Sequence, residues 1–140
     1  MNDAITADDL AVLTQWDTPT ICNALEEIVP ERRGHGFTTQ HLLALDPSLP
    51  PVCGFARTAT IRAAEPPRET AAEMAAKRTA YYEYVAAGPM PTIAVIQDLD
   101  PVPGIGAFWG EVQTTVHKGL GVVGAVTNGS FRDVPDSARG

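Results

Sequence analysis

The sequence predicts a single α/β domain, in which helices alternate with short strands of one central sheet. Two apolar, β-branched runs, residues 92–97 and 122–126, are typical of buried strands. A helical pattern precedes each run, and the order helices, strand, helix, strand, helix, strand is characteristic of α/β domains. The 140 residues are enough for one domain that buries about two-thirds of its unfolded surface.

The N-terminal part of the chain is predicted to be helical. Residues 7–15 form the first predicted helix, and a second helix is capped by Asp17 or Thr18 and ended by Pro30. The segment after Pro30 is polar, rich in glycine and proline, and irregular.

The remaining chain supplies the strands and the helices between them. Residues 53–63 alternate with a period of two and predict the first strand. Residues 68–87 are rich in Ala, Glu and Lys and predict a long helix before the second strand. In residues 107–118, Phe108 and Val112 belong to an apolar series spaced by four, which predicts a helix with one buried stripe.

The most useful chemical groups flank this last helix and the strand that follows it. Glu111 lies in the first helical turn, beside backbone N–H groups without intrahelical partners. Asn128-Gly129 predicts a turn after the strand, and Arg132 and Asp133 follow that turn. Because ligands of open α/β sheets bind beyond the carboxyl ends of the strands, we expect these side chains to share one site.

The segment WGEV, followed by TNGSFRD, resembles the RraA-like family. That family includes divalent-metal-dependent class II pyruvate aldolases acting on 4-hydroxy-4-methyl-2-oxoglutarate and 4-carboxy-4-hydroxy-2-oxoadipate. Its active-site pattern is an acid, twenty residues and Arg-Asp, and the same spacing separates Glu111 from Arg132-Asp133. The characterised aldolases typically carry Asp where this chain has Glu. A weaker resemblance covers DTPTICNAL, where Asn23 replaces a common Asp.

The resemblance implies a layered fold of the swivelling β/β/α type, with a central sheet flanked by helices in one domain over residues 1–140. It also implies a homo-oligomer, either a trimer or a hexamer. Relatives usually continue past the Arg-Asp turn with a further strand and helix. The end at Gly140 therefore indicates either a C-terminally truncated form or a chain that lacks those elements.

Composition narrows the function classes. A net charge of −7 argues against a nucleic-acid binder, although one local arginine can still hold a small anion. No apolar run approaches membrane-spanning length, and the acidic N-terminus lacks the apolar core of a signal peptide. We therefore expect a cytoplasmic protein without nucleic-acid or membrane partners. Cys22 and Cys53 form no motif and are expected to be reduced thiols.

Arg132 is a candidate catalytic and substrate-binding residue. A guanidinium can grip a carboxylate through two parallel hydrogen bonds. The resemblance favours a clamp on the carboxylate and keto oxygen of a small 2-oxo acid. The alternative is a surface arginine that pairs with Asp133, with Asp136 or with a helix end.

Asp133 and Glu111 are the candidate metal ligands, and Glu111 is also a catalytic candidate. Carboxylate oxygens suit Mg²⁺ or Mn²⁺, and Mg²⁺ typically keeps several waters and uses one or two protein carboxylates. Glu111 would bind the ion directly or through water. The alternatives are an N-cap role for Asp133, which Pro135 favours, and a helix-dipole role for Glu111.

The loop before the predicted helix is the candidate substrate-binding segment. Its backbone N–H groups at a helix start would receive the substrate carboxylate. The residues assigned to this role are Gly106, Ala107, Phe108 and Trp109. The alternatives are a simple tight turn for the loop and core packing for Trp109. His117 is expected to be a structural or surface histidine.

The resemblance implies retro-aldol cleavage of a 4-hydroxy-2-oxo diacid to pyruvate and a second 2-oxo acid, with oxaloacetate decarboxylation as a side activity. A divalent cation and Arg132 would stabilise the pyruvate enolate; the motif does not identify the general base. Two other classes stay open: a non-catalytic protein like the ribonuclease E regulator, and a truncated, vestigial paralogue. Retention of Glu111 and Asp133 argues against the first, whereas the Asp-to-Glu change and the end at Gly140 favour the second.

Overall fold

The computed structural model of the protein describes residues 4–35 and 37–134. These residues form four α-helices, one 3₁₀ helix and three β-strands, so the predicted α/β class is confirmed. In chain order the elements are α1 Ala7–Leu13, α2 Thr18–Ile28, the 3₁₀ helix Pro30–Arg32, β1 Phe55–Ile61, α3 Ala71–Ala86, β2 Thr92–Asp98, α4 Glu111–Gly119 and β3 Val122–Thr127.

The chain divides into two compact units, Met1–Cys53 and Gly54–Gly140. The first unit contains α1, α2 and the 3₁₀ helix, and among its described residues only Leu10 is buried. The second unit contains the sheet, α3 and α4. One domain over residues 1–140 stays a prediction.

The first two helices begin at polar capping residues. Asp17, one of the two predicted caps of α2, accepts the backbone N–H of Thr20 at 2.9 Å. Thr6 caps α1 in a reciprocal capping box with Asp9. The helix α1 ends at Leu13, two residues before the predicted end.

All three strands are parallel and lie in the order β1-β2-β3. The pairing of β1 with β2 runs from Phe55↔Thr92 to Ile61↔Asp98, and that of β2 with β3 ends at Ile96↔Thr127. The chain between the strands passes through α3 and then through α4. The carboxyl ends of the strands therefore meet at one edge of the sheet, as parallel β–α–β units require.

The helices α3 and α4 and one face of the sheet enclose the core of the second unit. The core cluster consists of Val85, Ala94, Ile96, Trp109 and Val122. The central strand β2 contributes most to it, which agrees with the apolar run of residues 93–96 within this strand.

The helix α4 begins at Glu111, four residues later than predicted, and buries a different stripe. Phe108 precedes the helix, and the side chain of Val112 is 66% exposed. His117 is the buried residue of α4, at 1% exposure. The predicted stripe through Phe108 and Val112 is therefore wrong, because the first of these residues lies outside the helix and packing turns His117 inward.

His117 makes a buried polar contact between α3 and α4. Its Nδ1 lies 2.7 Å from the carbonyl oxygen of Gln113, and its Nε2 lies 2.7 Å from the hydroxyl of Tyr81. Since a carbonyl only accepts, Nδ1 carries the proton and Nε2 accepts from the tyrosine. Burial lowers the pKa of His117 and raises the pKa of Tyr81 to about 12. Of the two alternatives for His117, the structural one holds.

Buried polar groups anchor the loop between β2 and α4 at the carboxyl edge of the sheet. The buried carboxylate of Asp98 accepts the backbone N–H groups of Gly104 at 2.7 Å and Asp100 at 2.9 Å, and these bonds lower the pKa of Asp98. The side chain of Asn128 bonds to the backbone N–H and C=O of Asp98. The hydroxyl of Ser130 donates to the carbonyl of Gly104 at 2.8 Å. The segment after β3 thus holds the loop after β2.

The buried imidazole makes the stability of the protein depend on pH. The folded protein lowers the pKa of His117 below its usual 6.5, so the unfolded chain binds this proton more readily. We expect the free energy of unfolding to be largest above about pH 7 and to fall toward pH 5, by at most about 1.4 kcal/mol per pH unit. Urea titrations across this range measure the slope. His117→Leu should reduce the slope of the free energy of unfolding against pH. An unchanged slope in that variant would show that His117 does not cause this pH dependence.

The buried carboxylate of Asp98 should stabilise the loop after β2. Asp98→Asn replaces one charged acceptor by an amide donor, so we expect the free energy of unfolding to fall and the urea midpoint to shift to lower concentration. Urea denaturation measures the loss. Asp46→Asn is the matched control, because Asp46 accepts the N–H of Ser48 at 2.9 Å in an exposed turn. Equal losses in the two variants would show that burial of Asp98 is not what matters.

Candidate functional site

The candidate site lies where the start of α4 meets the segment that follows β3. Trp109 and Phe131 form an isolated parallel β-bridge. The backbone N–H of Arg132 donates to the carbonyl of Trp109 at 3.0 Å. This pairing brings residues 132–133 beside Gly110, the N-cap residue of α4.

Gly110 is the point of closest approach between the two segments. A Cβ atom at this position would lie 2.8 Å from Oδ2 of Asp133, and 2.9 Å and 3.1 Å from Cγ and Nε of Arg132. Those separations are shorter than ordinary van der Waals contacts, so glycine leaves the space that both side chains occupy. The φ angle of Gly110 is −169°, an extended conformation open to any residue. The requirement at this position is therefore space and not backbone freedom.

Arg132 and Asp133 lie side by side at the surface of the second unit. Nε of Arg132 is 3.9 Å from Oδ2 of Asp133, and the two side chains are 67% and 47% exposed. The predicted alternative of an Arg132–Asp133 pair is thus present in the structure. An ion pair this exposed contributes little to stability.

Asp133 adopts a left-handed backbone conformation with a φ angle of 54°. Aspartate tolerates this region better than most residues, but the conformation still needs support from its surroundings. The N-cap alternative for Asp133 involves Pro135, and one alternative partner of Arg132 was Asp136. Both Pro135 and Asp136 lie outside the described residues.

Glu111 is the first residue of α4 and is exposed. Its predicted position in the first helical turn is confirmed. Glu111 directly follows Gly110, the residue that the side chains of Arg132 and Asp133 approach. The same position would suit an acid that complements the helix dipole, so its role as a metal ligand stays a prediction.

The start of α4 presents backbone donors. Within the described chain no side chain caps Gly110, and the first helical bond runs from the N–H of Thr114 to the carbonyl of Gly110 at 2.9 Å. The N–H groups of Glu111, Val112 and Gln113 therefore have no intrahelical acceptor. Together with the positive end of the helix dipole, they favour an anion at this position.

The predicted substrate-binding residues lie before α4 and not in its first turn. Since α4 starts at Glu111, the N–H groups of Ala107, Phe108 and Trp109 do not lie at the helix start, and that part of the prediction is wrong. Trp109 is 2% exposed and belongs to the core cluster, as the packing alternative proposed. Contact of these residues with a substrate stays a prediction.

Gly106, in the loop before α4, packs directly against Ala63, which follows the end of β1 at Ile61. The chain there is held by Asp100, whose carboxylate accepts the N–H groups of Ala63 and Ala64, each at 2.8 Å. Gly106 thus allows a close approach of two loops at the carboxyl edge of the sheet. Its assignment to substrate binding stays a prediction.

Gly110 was not singled out from the sequence, although a signal for it was present. In WGEV a glycine directly precedes the helix, in the N-cap position where Ser, Thr, Asn and Asp usually stand. A helix start without a capping side chain is one that leaves its N–H groups for another acceptor.

A cavity of 210 Å³ lies on the helix-covered side of the sheet, apart from these residues. It is lined by Ala59, Thr60, Ile61, Tyr81, Ile96 and Phe108. The lining contains two hydroxyl groups and no charged side chain, so it does not suit a carboxylate. Arg132, Asp133 and Glu111 are not part of it.

The donor set fits a sparsely ligated divalent cation. Among residues 4–35 and 37–134 no group of three or more His, Cys, Asp or Glu side chains could hold a metal ion. Mg²⁺ needs only one or two protein carboxylates, with waters or substrate oxygens completing its shell. Asp133 supplies one exposed carboxylate beside Gly110, which meets the minimum of that demand, and a metal ion held by Asp133 and Glu111 stays a prediction.

No helix in the described part of the chain is long and apolar enough to cross a membrane.

Comparisons with known proteins identify the family of this chain. Searches of curated proteins and of solved structures found no match. A family model described as RraA-like, Aldolase/RraA, matches residues 18–139, which include Glu111, Arg132 and Asp133. The chain therefore belongs to the RraA-like, Aldolase/RraA family.

Proposed function

We propose that this protein is a divalent-metal-dependent lyase that cleaves a 4-hydroxy-2-oxo diacid to pyruvate and a second 2-oxo acid. The substrate would be of the 4-hydroxy-4-methyl-2-oxoglutarate or 4-carboxy-4-hydroxy-2-oxoadipate type, and oxaloacetate decarboxylation would be a side activity. Family membership supports an aldolase or a regulatory role. The observation that favours the lyase is the convergence of Arg132 and Asp133 on Gly110, at the uncapped start of α4.

The proposed binding mode places the C1 carboxylate of the substrate at the start of α4. The N–H groups of residues 111–113 and the helix dipole favour a negative charge there. The stem of Arg132 lies over Gly110, so its guanidinium can reach the same position. Two parallel hydrogen bonds from this group would orient the carboxylate and the keto oxygen.

Asp133 would hold a Mg²⁺ or Mn²⁺ ion, and Glu111 would bind the ion directly or hold one of its waters. When bound, the ion supplies a Lewis acid for the keto group of the substrate. Glu111 reaches one methylene further than aspartate, so it can contact a group in front of α4 from its exposed position.

The proposed reaction breaks the C3–C4 bond of the substrate. The C4 hydroxyl gives its proton to a base, a carbonyl forms at C4, and the electron pair of the broken bond passes to the pyruvate fragment as an enolate. A proton then adds to C3 and completes pyruvate. Loss of CO₂ from oxaloacetate leaves the same enolate. The guanidinium of Arg132 would stabilise the negative charge that develops on the C2 oxygen of this enolate.

A non-catalytic regulatory role is the second candidate. Arg132 and Asp133 lie at the surface, and the 210 Å³ cavity lies elsewhere, as would suit a protein that binds a partner through this face. A vestigial paralogue would show neither turnover nor partner binding.

The proposed assembly is a homotrimer or hexamer in the cytoplasm, without nucleic-acid or membrane partners.

The lyase proposal predicts metal-dependent turnover that requires Arg132. Purified protein should decarboxylate oxaloacetate with Mg²⁺ and lose this activity in EDTA. Arg132→Ala removes the charge that stabilises the enolate, so kcat/KM should fall by about 10²–10³-fold. A coupled assay for pyruvate measures the effect.

Arg33→Ala is the matched control for this variant. Arg33 is an exposed arginine of the first unit, paired with Glu27 at 2.8 Å. Its loss should leave turnover unchanged. If the wild-type protein shows no turnover but binds a ribonuclease specifically, the lyase proposal is rejected and the regulatory role is favoured.

Gly110→Ala should lower activity much more than stability. The added methyl group would displace the side chains of Arg132 and Asp133, whose ends can move, so we expect kcat/KM to fall about tenfold or more. Gly119→Ala is the control in the same helix, because a Cβ there meets no atom within 4 Å. That variant should keep full activity and gain about 0.5–1 kcal/mol of stability. Full activity of Gly110→Ala would rule out a role for this close approach.

A further inference from the structure

We infer that Trp109 and Phe131 are positioning residues, which hold the Arg132-Asp133 segment against the start of α4. The inferred consequence for substrate binding rests on the proposed lyase function. The contact that Trp109 and Phe131 make between the two segments, here called the tether, rests on the geometry of those segments alone.

The backbone part of the tether is short. Trp109 and Phe131 form a bridge that lies outside the three strands. Within it the N–H of Arg132 donates to the carbonyl of Trp109 at 3.0 Å. One such bond in a surface segment opens easily, so additional contacts must keep the segment in place.

The aromatic side chains of the bridge supply those contacts. The rings of Trp109 and Phe131 stack, with centroids 6.3 Å apart and an interplanar angle of 19°. Trp109 is itself fixed in the core, where its ring lies 5.3 Å from Phe108 and 4.7 Å from His117. Phe131 is partly buried against the same cluster. It is therefore the last residue of this segment that the core holds directly before the exposed Arg132.

The geometry beyond Phe131 needs such support. Asp133 adopts the left-handed conformation, and its carboxylate crowds Gly110 together with the stem of Arg132. The 3.9 Å ion pair between the two exposed side chains adds little to the stability of this arrangement. The stacked ring of Phe131 holds the residue directly before Arg132 against the core.

The test compares three variants with the wild-type protein. Phe131→Leu keeps an apolar side chain but removes the stacking ring, and Phe131→Tyr keeps the ring. Leu120→Ala is the control: Leu120 packs against the same core at the other end of α4. The two main readouts are hydrogen exchange of the Arg132 amide by NMR and the affinity for oxalate with Mg²⁺ by calorimetry, and KM, kcat and Tm are measured beside them. Oxalate serves as a planar dianion that resembles the pyruvate enolate.

The tether predicts a selective effect of the ring. In Phe131→Leu the Arg132 amide should exchange about tenfold faster or more. Its affinity for oxalate should be about tenfold weaker, and KM for oxaloacetate should rise more than kcat falls. Phe131→Tyr should behave as the wild type. Leu120→Ala should lower Tm and leave both readouts unchanged.

The outcomes separate this inference from the proposed function. Fast exchange of the Arg132 amide in the wild type, unchanged readouts in Phe131→Leu, or equal changes in Leu120→Ala would each overturn the tether. Faster exchange in Phe131→Leu with unaltered oxalate affinity would overturn its role in binding. A wild type with a protected Arg132 amide that neither binds oxalate nor turns over oxaloacetate would refute the lyase. Faster exchange in Phe131→Leu would then still support the tether.

Discussion

The close approach of the Arg132-Asp133 segment to Gly110 is the constraint on which the candidate site depends. In a parallel β–α–β unit, the residues that precede the helix and those that follow the next strand meet at the same edge of the sheet. The topology thus brings two segments together that are distant in the sequence. Their contact then depends on the absence of a side chain at Gly110, since a Cβ atom would overlap the space that Arg132 and Asp133 occupy.

The polar groups of the second unit divide into a buried set and an exposed set. Asp98, Asn128 and His117 have their hydrogen bonds satisfied within the protein, where they fix the loop after β2 and join α3 to α4. Arg132 and Asp133 are exposed. Such a division is what a binding site needs, because the buried groups give rigidity while the exposed ones keep contact with solvent and ligand.

The start of α4 combines several weak preferences for an anion. Its first N–H groups lack intrahelical acceptors, its dipole is positive at this end, and a guanidinium lies over its N-cap residue. Each effect alone is common in proteins that bind nothing there. Their coincidence beside the carboxylate of Asp133, in a chain of the RraA-like, Aldolase/RraA family, is what supports the proposed binding of a small anion here.

The sequence by itself determined the order of helices and strands, the place of Glu111 in the first turn of α4, and the family, because these features follow from local periodicity and from a spaced motif. Tertiary structure decided that His117 and not Val112 faces the core, and that the side chains of Arg132 and Asp133 lie against Gly110 at the start of α4. The helical period of Phe108 and Val112 was real in the sequence. In the structure Trp109 instead pairs with Phe131 in a β-bridge before the helix begins, and such pairing between distant segments leaves no mark on local periodicity.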